Sequence, residues 1–348
     1  MIKTYTVKQS GEWDKIVKSF YNHDVYYLSG YVKAFELHGD GEAVLIYYLS
    51  KDRSTRGINV VMKRDIHNFG ILSDEVAPEE IFDIVTPYGY GGWLVEGEGI
   101  EELAYEYGKW AKENHIVSEF VRFHPILNNH SNYLCEEAYL GDTVCIDTTS
   151  FEMIWSNFTG RNRGKIRKAE KLGQNVYWSR DPRIIDDFMN IYNATMDKDN
   201  AEDYYYFKKE FYESVVRDLK HNAMFFYSLL DNKITSIAIF LFCNGQMHYH
   251  LSASASAYRN YQSTNLVIAE AAMWGCRNGY KTLHLGGGLS AKQDSLYMFK
   301  KLFNKNDNNK FFIGKKIYDE EIYYKLVEMR KQDPSFNENT GYFPAYRG

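Results

Sequence analysis

The sequence predicts an α/β (α+β) protein built from two successive units of similar design. Three observations carry this reading: helical and strand periodicities alternate along the 348 residues, they run through a similar order twice, and the composition is that of a packed chain. The apolar fraction is 45%, and six prolines are too few for a linker-rich or disordered chain. The length suits two domains of ordinary size or one duplicated fold. No short-period repeat is visible and the halves do not match residue for residue, so duplication rests on element order alone.

The elements follow in order. Trp13, Ile16, Val17 and Phe20 in GEWDKIVKSF lie at helical spacing. EAVLIYYLS from Glu42 is a short apolar run of strand formers, and GINVVMKRD beyond it reads as an antiparallel neighbour. Leu103, Tyr107, Trp110 and Ala111 mark a further helix, and the strand-like VSEFVRFHP follows, so that one unit is complete near residue 147. The second opens with a helical pattern through Ile154 and Phe158, continues through Ile166 and Ala169, and stops at Gly173. A helix around IDDFMNIYNATM and the tyrosine-rich DYYYFKKEFYESVVRDL lead to strands in AMFFYSLLD, KITSIAIFLFC and QMHYHLSAS, with a hairpin turn at Asp231-Asn232-Lys233. The long helix STNLVIAEAAMWGCRNG then returns to a strand, KTLHLGGG.

Charge and cysteine content exclude several classes. With 41 basic and 46 acidic residues the net charge is −5, so any anion must be met by local clusters. Cys135, Cys145, Cys243 and Cys276 show no C-x-x-C spacing, which suits a reduced, cytoplasmic compartment. The N-terminal segment lacks a signal-peptide core, and no run of roughly 18 apolar residues occurs, so neither export nor a membrane span is expected. His248 and His250 share a strand face without an evident acidic or cysteine partner, and no metal is expected. G-x-S-x-G is absent, and no catalytic triad can be argued.

Four stretches carry candidate chemistry. In GRNRGKIRKAEK, Arg163, Arg167 and Lys171 fall on one helical face near a helix start, which suits phosphate and equally a solvated surface. In TPYGYGGWL, Gly89, Gly91 and Gly92 permit positive φ, and Tyr88, Tyr90 and Trp93 offer a surface for a sugar, a base or a peptide, although a structural turn explains the glycines equally well. In LHLGGGLSAKQDSLYMFKKLFNK, Gly286, Gly287 and Gly288 fit neither nucleotide-binding glycine motif. Asp294 or Ser295 there caps a helix whose apolar face is Leu296, Phe299 and Phe303, leaving Lys300 and Lys301 free. With Lys305, Lys310, Lys315 and Lys316 they form a second basic cluster, suited to a polyanion such as a tRNA acceptor end or to water. The fourth stretch, ASAYRNYQSTNLVIAEAAMWGCRNGYKTLHLG, sets a strand, a turn carrying Arg259, a helix closing on Gly279 and another strand in the order of the acyl-CoA motif of GNAT acetyltransferases. Gln262 and Thr264 stand where that motif has glycines, and their side chains would obstruct close backbone approach.

Together these residues resemble the Fem-type branch of the GNAT superfamily, cytosolic aminoacyltransferases that add amino acids to peptidoglycan precursors, and the related BioF2-like acyltransferases. The matching positions are Arg163, Ile166, Arg167, Lys168, Ala169, Lys171 and Gly173; then Pro87 to Gly92; then Gly286 to Gly288 with Phe299, Lys300 and Phe303. No long charged heptad segment is present, so the likeness is to the compact form. The resemblance implies two tandem GNAT-like subdomains, 1–147 rejoined by 317–348 and 148–316. Each would be a mixed, mostly antiparallel sheet flanked by helices, with a cleft between them. It implies attack of an amine of a UDP-linked muramoyl peptide, or a related cell-wall precursor, on an aminoacyl-tRNA. Acceptor-binding positions would be Lys33, Tyr31, Arg163, Arg167, Tyr88, Tyr90, Tyr204 and Tyr206. Donor-binding positions would be Arg259, Phe299, Lys300, Lys301 and Lys305 beside Gly286, Gly287 and Gly288, with Lys300 stabilising charge and no general base identifiable. No bound cofactor is implied, and a peripheral membrane contact is compatible with such a protein. The alternatives are an acyl-CoA-dependent N-acyltransferase of polysaccharide biosynthesis and a non-catalytic binding module for anionic glycan precursors.

Overall fold

The computed structural model describes residues 1–306, 308–334 and 336–348. The chain divides into two compact units, Met1–Leu140 with Phe311–Gly348, and Gly141–Lys310.

The first unit begins with β1 (Ile2–Thr6), α1 (Ser10–Lys18), α2 (Ser29–His38), β2 (Glu42–Leu49), β3 (Arg56–Asp65), β4 (Phe82–Val85), β5 (Leu94–Glu96), α3 (Ile100–Glu113) and β6 (Ile116–Arg122). A long strand, β7 (Glu136–Asp147), crosses the boundary into the second unit. There follow α4 (Phe151–Asn157), α5 (Gly160–Lys171), β8 (Asn175–Ser179), α6 (Ile184–Asp199), α7 (Lys209–Asp218), β9 (Ala223–Leu230), β10 (Lys233–Cys243), β11 (Gln246–Ser254), α8 (Ser263–Arg277), β12 (Thr282–Gly286) and α9 (Ser295–Lys301). The chain then returns to the first unit through β13 (Asn309–Ile317) and α10 (Glu320–Arg330).

Within the first unit the strand order is β1-β2-β3-β4-β6-β13, with β5 beside β3; within the second it is β7-β12-β11-β10-β9-β8. Neighbours are antiparallel except for one pair in each unit, β4 with β6 and β11 with β12. A parallel pair needs a long crossover, and a helix supplies it in both cases, α3 in the first and α8 in the second. The two units therefore repeat one design.

Burial explains the helices. Leu103, Tyr107 and Ala111 of α3 pack with Trp93, Ile84 and Val121 in the first core. The returning segment closes a second core of the same unit, where Leu326, Val327 and Tyr346 meet Ile66, Leu72 and Val117. In the second unit, Leu266, Ile268, Ala269 and Ala272 of α8 pack with Ile166, Phe240 and Leu283. The hairpin between β9 and β10 turns on Asp231 and Asn232, at φ 49° and 61°, the left-handed pair that a two-residue connection requires.

Candidate active site

The glycine run of the second unit is held by its own chain. Gly286 has φ 76°. A Cβ on Gly287 would lie 2.8 Å from the carbonyl oxygen of Asp142, and one on Gly288 2.0 Å from that of Lys292, so only glycine fits there. Asp294 caps α9 by accepting from the Tyr297 N–H at 2.8 Å and also accepts from the Leu289 N–H at 2.9 Å, which ties the loop to the helix. The expected apolar face of α9 needs correction: Leu296 is exposed, whereas Tyr297, Phe303 and Lys300 are buried. Lys300 is thus not a free surface cation. Its Nζ donates to the Gly287 carbonyl at 2.6 Å, its exposure is 9%, and burial lowers its pKa to about 8 against the opposing pull of Asp294. A lysine so placed is mostly protonated at neutral pH yet holds its charge at a cost, as a group that meets transient negative charge must. Phe299 packs edge-on to Phe303 at 5.6 Å and belongs to the core. Lys301 donates to Asn308 Oδ1 at 2.7 Å and to the Asn306 carbonyl, while the side chain of Lys305 is exposed.

The basic helix α5 starts beside α9. The backbone N–H groups of Thr159 and Lys305 bond to the carbonyls of Leu302 and Asn157, each at 3.0 Å, and Phe158 packs on Phe303 at 5.4 Å. Arg163, half-buried, donates through Nη1 to the carbonyls of Phe158 and, at 3.2 Å, Trp155. Arg167 lies over the Trp155 ring at 5.4 Å with its side chain exposed. Arg163 therefore secures the end of α4 with one edge of its guanidinium.

The starts of α5 and α8 are neighbours, because Asn265 Nδ2 donates to Asn162 Oδ1 at 2.8 Å. Asn162 is wholly buried, and its Nδ2, like the Oγ of buried Ser263, has no hydrogen-bond partner among the described residues. Thr159 caps α5 by accepting from the Asn162 N–H at 3.2 Å, whereas α8 has no side-chain cap; the two adjacent helix starts and two unused side-chain donors make a local positive potential suited to an anion. Sequence reading missed this pair, since nothing local signals that asparagines 103 positions apart will meet. Arg259 lies exposed in the short turn ahead of α8. Gln262 takes φ 60°, the backbone that a glycine would favour, and its Nε2 donates to the Asn260 carbonyl at 3.2 Å. The Thr264 hydroxyl pairs with Ser236 Oγ at 3.1 Å. β11 and β12 pair only over Gln246–His248 and Thr282–His284, and a bulge at His250 bends β11 beyond that point, which leaves the end of the parallel pair open toward the α8 start.

In the first unit the structure brings Tyr31, Tyr88 and Tyr90 together. The Tyr31 hydroxyl donates to the Tyr88 carbonyl, Phe35 lies 5.0 Å from Tyr31 and stacks on Tyr88 at 5.6 Å, and Tyr26 meets Tyr31 at 5.2 Å and Tyr90 at 5.5 Å. Gly89 has φ 96° and a Cβ there would strike the Tyr26 ring at 2.6 Å. Burial raises the pKa of both Tyr26 and Tyr90. Behind them His124 and Asp24, both wholly buried, are joined at 2.8 Å. The His124 Nδ1 accepts from the Ile126 and Leu127 N–H groups at 3.3 Å each, so Nε2 carries the proton and donates to Asp24. Lys33 is on the same helix as Tyr31, half-buried. Tyr204 and Tyr206 lie in the connection between α6 and α7, where the Tyr206 hydroxyl donates to Asp197 at 2.8 Å and Tyr204 packs edge-on to Phe207 at 6.2 Å.

Residues 156–297 match the family described as the acetyltransferase (GNAT) domain. The matched stretch lies within the second unit. The whole chain is similar in structure to FemX, at TM-score 0.65 and 15% identity, over 93% of this chain and 99% of that one. It is similar to the C-terminal domain of an Agrobacterium fabrum protein assigned as a lysylphosphatidylglycerol synthetase, at TM-score 0.53 and 13% identity, over 89% and 91%. It is also similar to a conserved protein of unknown function from Bacteroides thetaiotaomicron, at TM-score 0.59 and 10% identity, over 91% and 100%. At these identities the likeness is one of fold. No curated protein matches the chain in sequence. The GNAT domain match bears out the GNAT part of the resemblance and the reading as an acyltransferase, and the likeness to FemX bears out the fold, two GNAT-like units of mixed sheet and helix. Among the described residues, no helix is long and apolar enough to cross a membrane.

Proposed function

We propose that the protein transfers an aminoacyl group from an aminoacyl-tRNA to an amine of a nucleotide-linked cell-wall precursor, such as a UDP-linked muramoyl peptide, in the cytoplasm. The observation that carries this is Lys300, a buried ammonium beside a glycine loop of the GNAT domain. The amine nitrogen attacks the ester carbonyl, a C–N bond forms, and the C–O bond to the terminal ribose breaks. The amine loses one proton and the departing ribose oxygen gains one. Lys300 meets the negative charge that develops on oxygen, and positioning does much of the remaining work because the ester is already activated. Lys33, Tyr31, Tyr88 and Tyr90 of the first unit and Arg163 and Arg167 of the second take the acceptor, with Tyr204 and Tyr206 as further contacts. Arg259, Lys301 and Lys305 take the phosphates of the donor, next to the loop of Gly286, Gly287 and Gly288, with Phe299 supporting Lys300 from the core. No residue is assigned as general base.

A second reading, transfer from acyl-CoA, is supported by Asn162 and Ser263, whose unused donors at paired helix starts would suit a diphosphate. Gln262 counts against it, because its side chain stands where backbone must approach closely. One experiment separates the two: incubate the full chain with a UDP-muramoyl pentapeptide and either tRNA charged with labelled amino acids or labelled acetyl-CoA, and follow label into the peptide. Label from charged tRNA, falling by about 100-fold in Lys300→Met, is the expected result. Label from acetyl-CoA alone, or from neither donor, overturns the proposal.

A further inference from the structure

We propose that a groove in the first unit, at the start of β6, binds a nucleoside phosphate. Two cavities of about 520 and 580 Å³ adjoin along the C-terminal half of α3, sharing Lys112, Ile317 and Tyr318 in their walls. The smaller is walled by buried Ile116 and Val117 at the start of β6, whereas the aromatic loop meets the other end of the strand, where the Gly91 N–H bonds to the Arg122 carbonyl at 2.8 Å. A strand of this length separates the two places by about 20 Å. Nothing proposed above uses the groove.

Its lining defines the ligand. The hydroxyls of Tyr107, Tyr133 and Tyr318 all donate to the buried carboxylate of Glu119, at 3.0, 2.5 and 2.7 Å, so no hydroxyl of the three is turned to the larger cavity; Tyr107 and Tyr133 lie buried beneath it, and Tyr105, 73% exposed, offers the open ring in its wall. Gly108 lies in the same wall, inside α3, where a Cβ would meet nothing within 4 Å. A glycine inside a helix costs stability relative to alanine, and here no packing within the chain calls for it. The bare backbone instead keeps the groove open for a flat body lying on the helix. Lys112 and Lys316 stand at the rim and form no ion pair among the described residues. A ring-lined floor under two uncommitted cations fits a planar aromatic body carrying an anionic group. The adjoining cavity adds His115, Asp319 and Glu320, hydrogen-bonding groups that serve a ribose and not an acyl chain, which selects the nucleoside phosphate.

The test is calorimetric titration of the full chain with UDP and with ADP at low salt, alongside decanoate as an acyl anion. Binding of either nucleotide is expected. It should weaken at least about tenfold in the double variant Lys112→Glu, Lys316→Glu, and also in Gly108→Leu, each checked for an unchanged circular dichroism spectrum. It should persist in Lys51→Ala and Lys233→Ala, exposed cations outside the groove and outside the proposed site. Absence of nucleotide binding, binding indifferent to the groove variants, or binding of decanoate alone overturns the inference. Loss in Lys33→Ala or Arg163→Ala instead would assign the nucleotide to the acceptor positions and also overturns it. The inference stands apart from the transfer reaction, whose failure would leave these titrations unchanged.

Discussion

Replacing Lys300 by methionine should stabilise the protein at neutral pH while removing its activity. Burial lowers the lysine from its ordinary 10.5 to about 8, and that drop corresponds to about 3 kcal/mol held against the folded state whenever the side chain is charged. Methionine matches the length of the chain and removes the charge, but leaves the Gly287 carbonyl without its donor, a loss of about 1 to 2 kcal/mol. The net expectation is a gain of about 1 to 2 kcal/mol at pH 7. The sign reverses in alkali. Between the folded and unfolded values the unfolded chain holds a proton that the folded chain has released, so the wild type gains stability as pH rises from about 8 toward 10.5, and the variant does not. Near the top of that window the wild type should be the more stable by its intact hydrogen bond. Urea denaturation of both proteins at pH 7 and pH 10 measures the difference, in which the other titrating groups cancel. A variant less stable than wild type by the same amount at both pH values would refute the reasoning, since Lys300 would then be an ordinary structural side chain. Transfer by the wild type should also decline as pH rises through about 8, as the ammonium is lost.

Three further perturbations test other parts of the structure. Asp83 is wholly buried and accepts from Arg64 at 2.6 Å, Arg347 at 2.5 Å and the Tyr346 hydroxyl at 3.1 Å; Asp83→Ala strands two guanidinium groups and should lower stability by about 3 to 5 kcal/mol in urea denaturation. Gly288→Ala forces a methyl onto the Lys292 carbonyl and the Asp294 cap; it should cost about 1 to 3 kcal/mol and lower transfer by displacing the loop that holds Lys300, and full activity in the variant would contradict that link. Glu119→Gln puts an amide N–H₂ where tyrosine hydroxyls now donate to a carboxylate, and a loss of about 2 to 4 kcal/mol is expected, read as a fall in Tm.

Much of the frame was legible because it rests on local pattern. β10 and β11 span the apolar runs that announce them, α5 ends before Gly173 at φ 83°, and Asp294 caps α9. β7 was not legible: its first half is exposed and Gly141 and Asp142 interrupt its apolar alternation, so no period of two stands out. The site was legible in its parts and not in its contacts. The pair Lys300-Lys301 is symmetrical to a sequence reader, and only the register of α9 decides that Lys300 turns inward while Lys301 bonds to the loop that follows. The Asp24–His124 and Asn162–Asn265 pairs join residues 100 and 103 positions apart, and short polar side chains at such separations carry no periodic signal.

The repeat of one design makes the difference between its copies informative. Each unit has a parallel pair joined through a helix, and in each the chain between the first strand and that helix decides what the open end of the pair becomes. In the first unit that connection runs through residues 86–99. It carries the tyrosine and glycine loop, which folds back so that Gly91 bonds to Arg122 and Tyr90 packs against His124 at 5.8 Å. In the second unit it is only residues 255–262, one short turn, and the start of α8 is left beside the start of α5 with donors unused. A long connection fills the space with rings; a short one leaves helix N-termini uncovered. The same topology thus yields a cluster of rings in one copy and, in the other, two neighbouring helix starts with unused side-chain donors. The acetyltransferase family match falls on the second copy alone, at residues 156–297, where the connection is the short one. Transfer chemistry is therefore expected to follow the copy whose helix starts remain open.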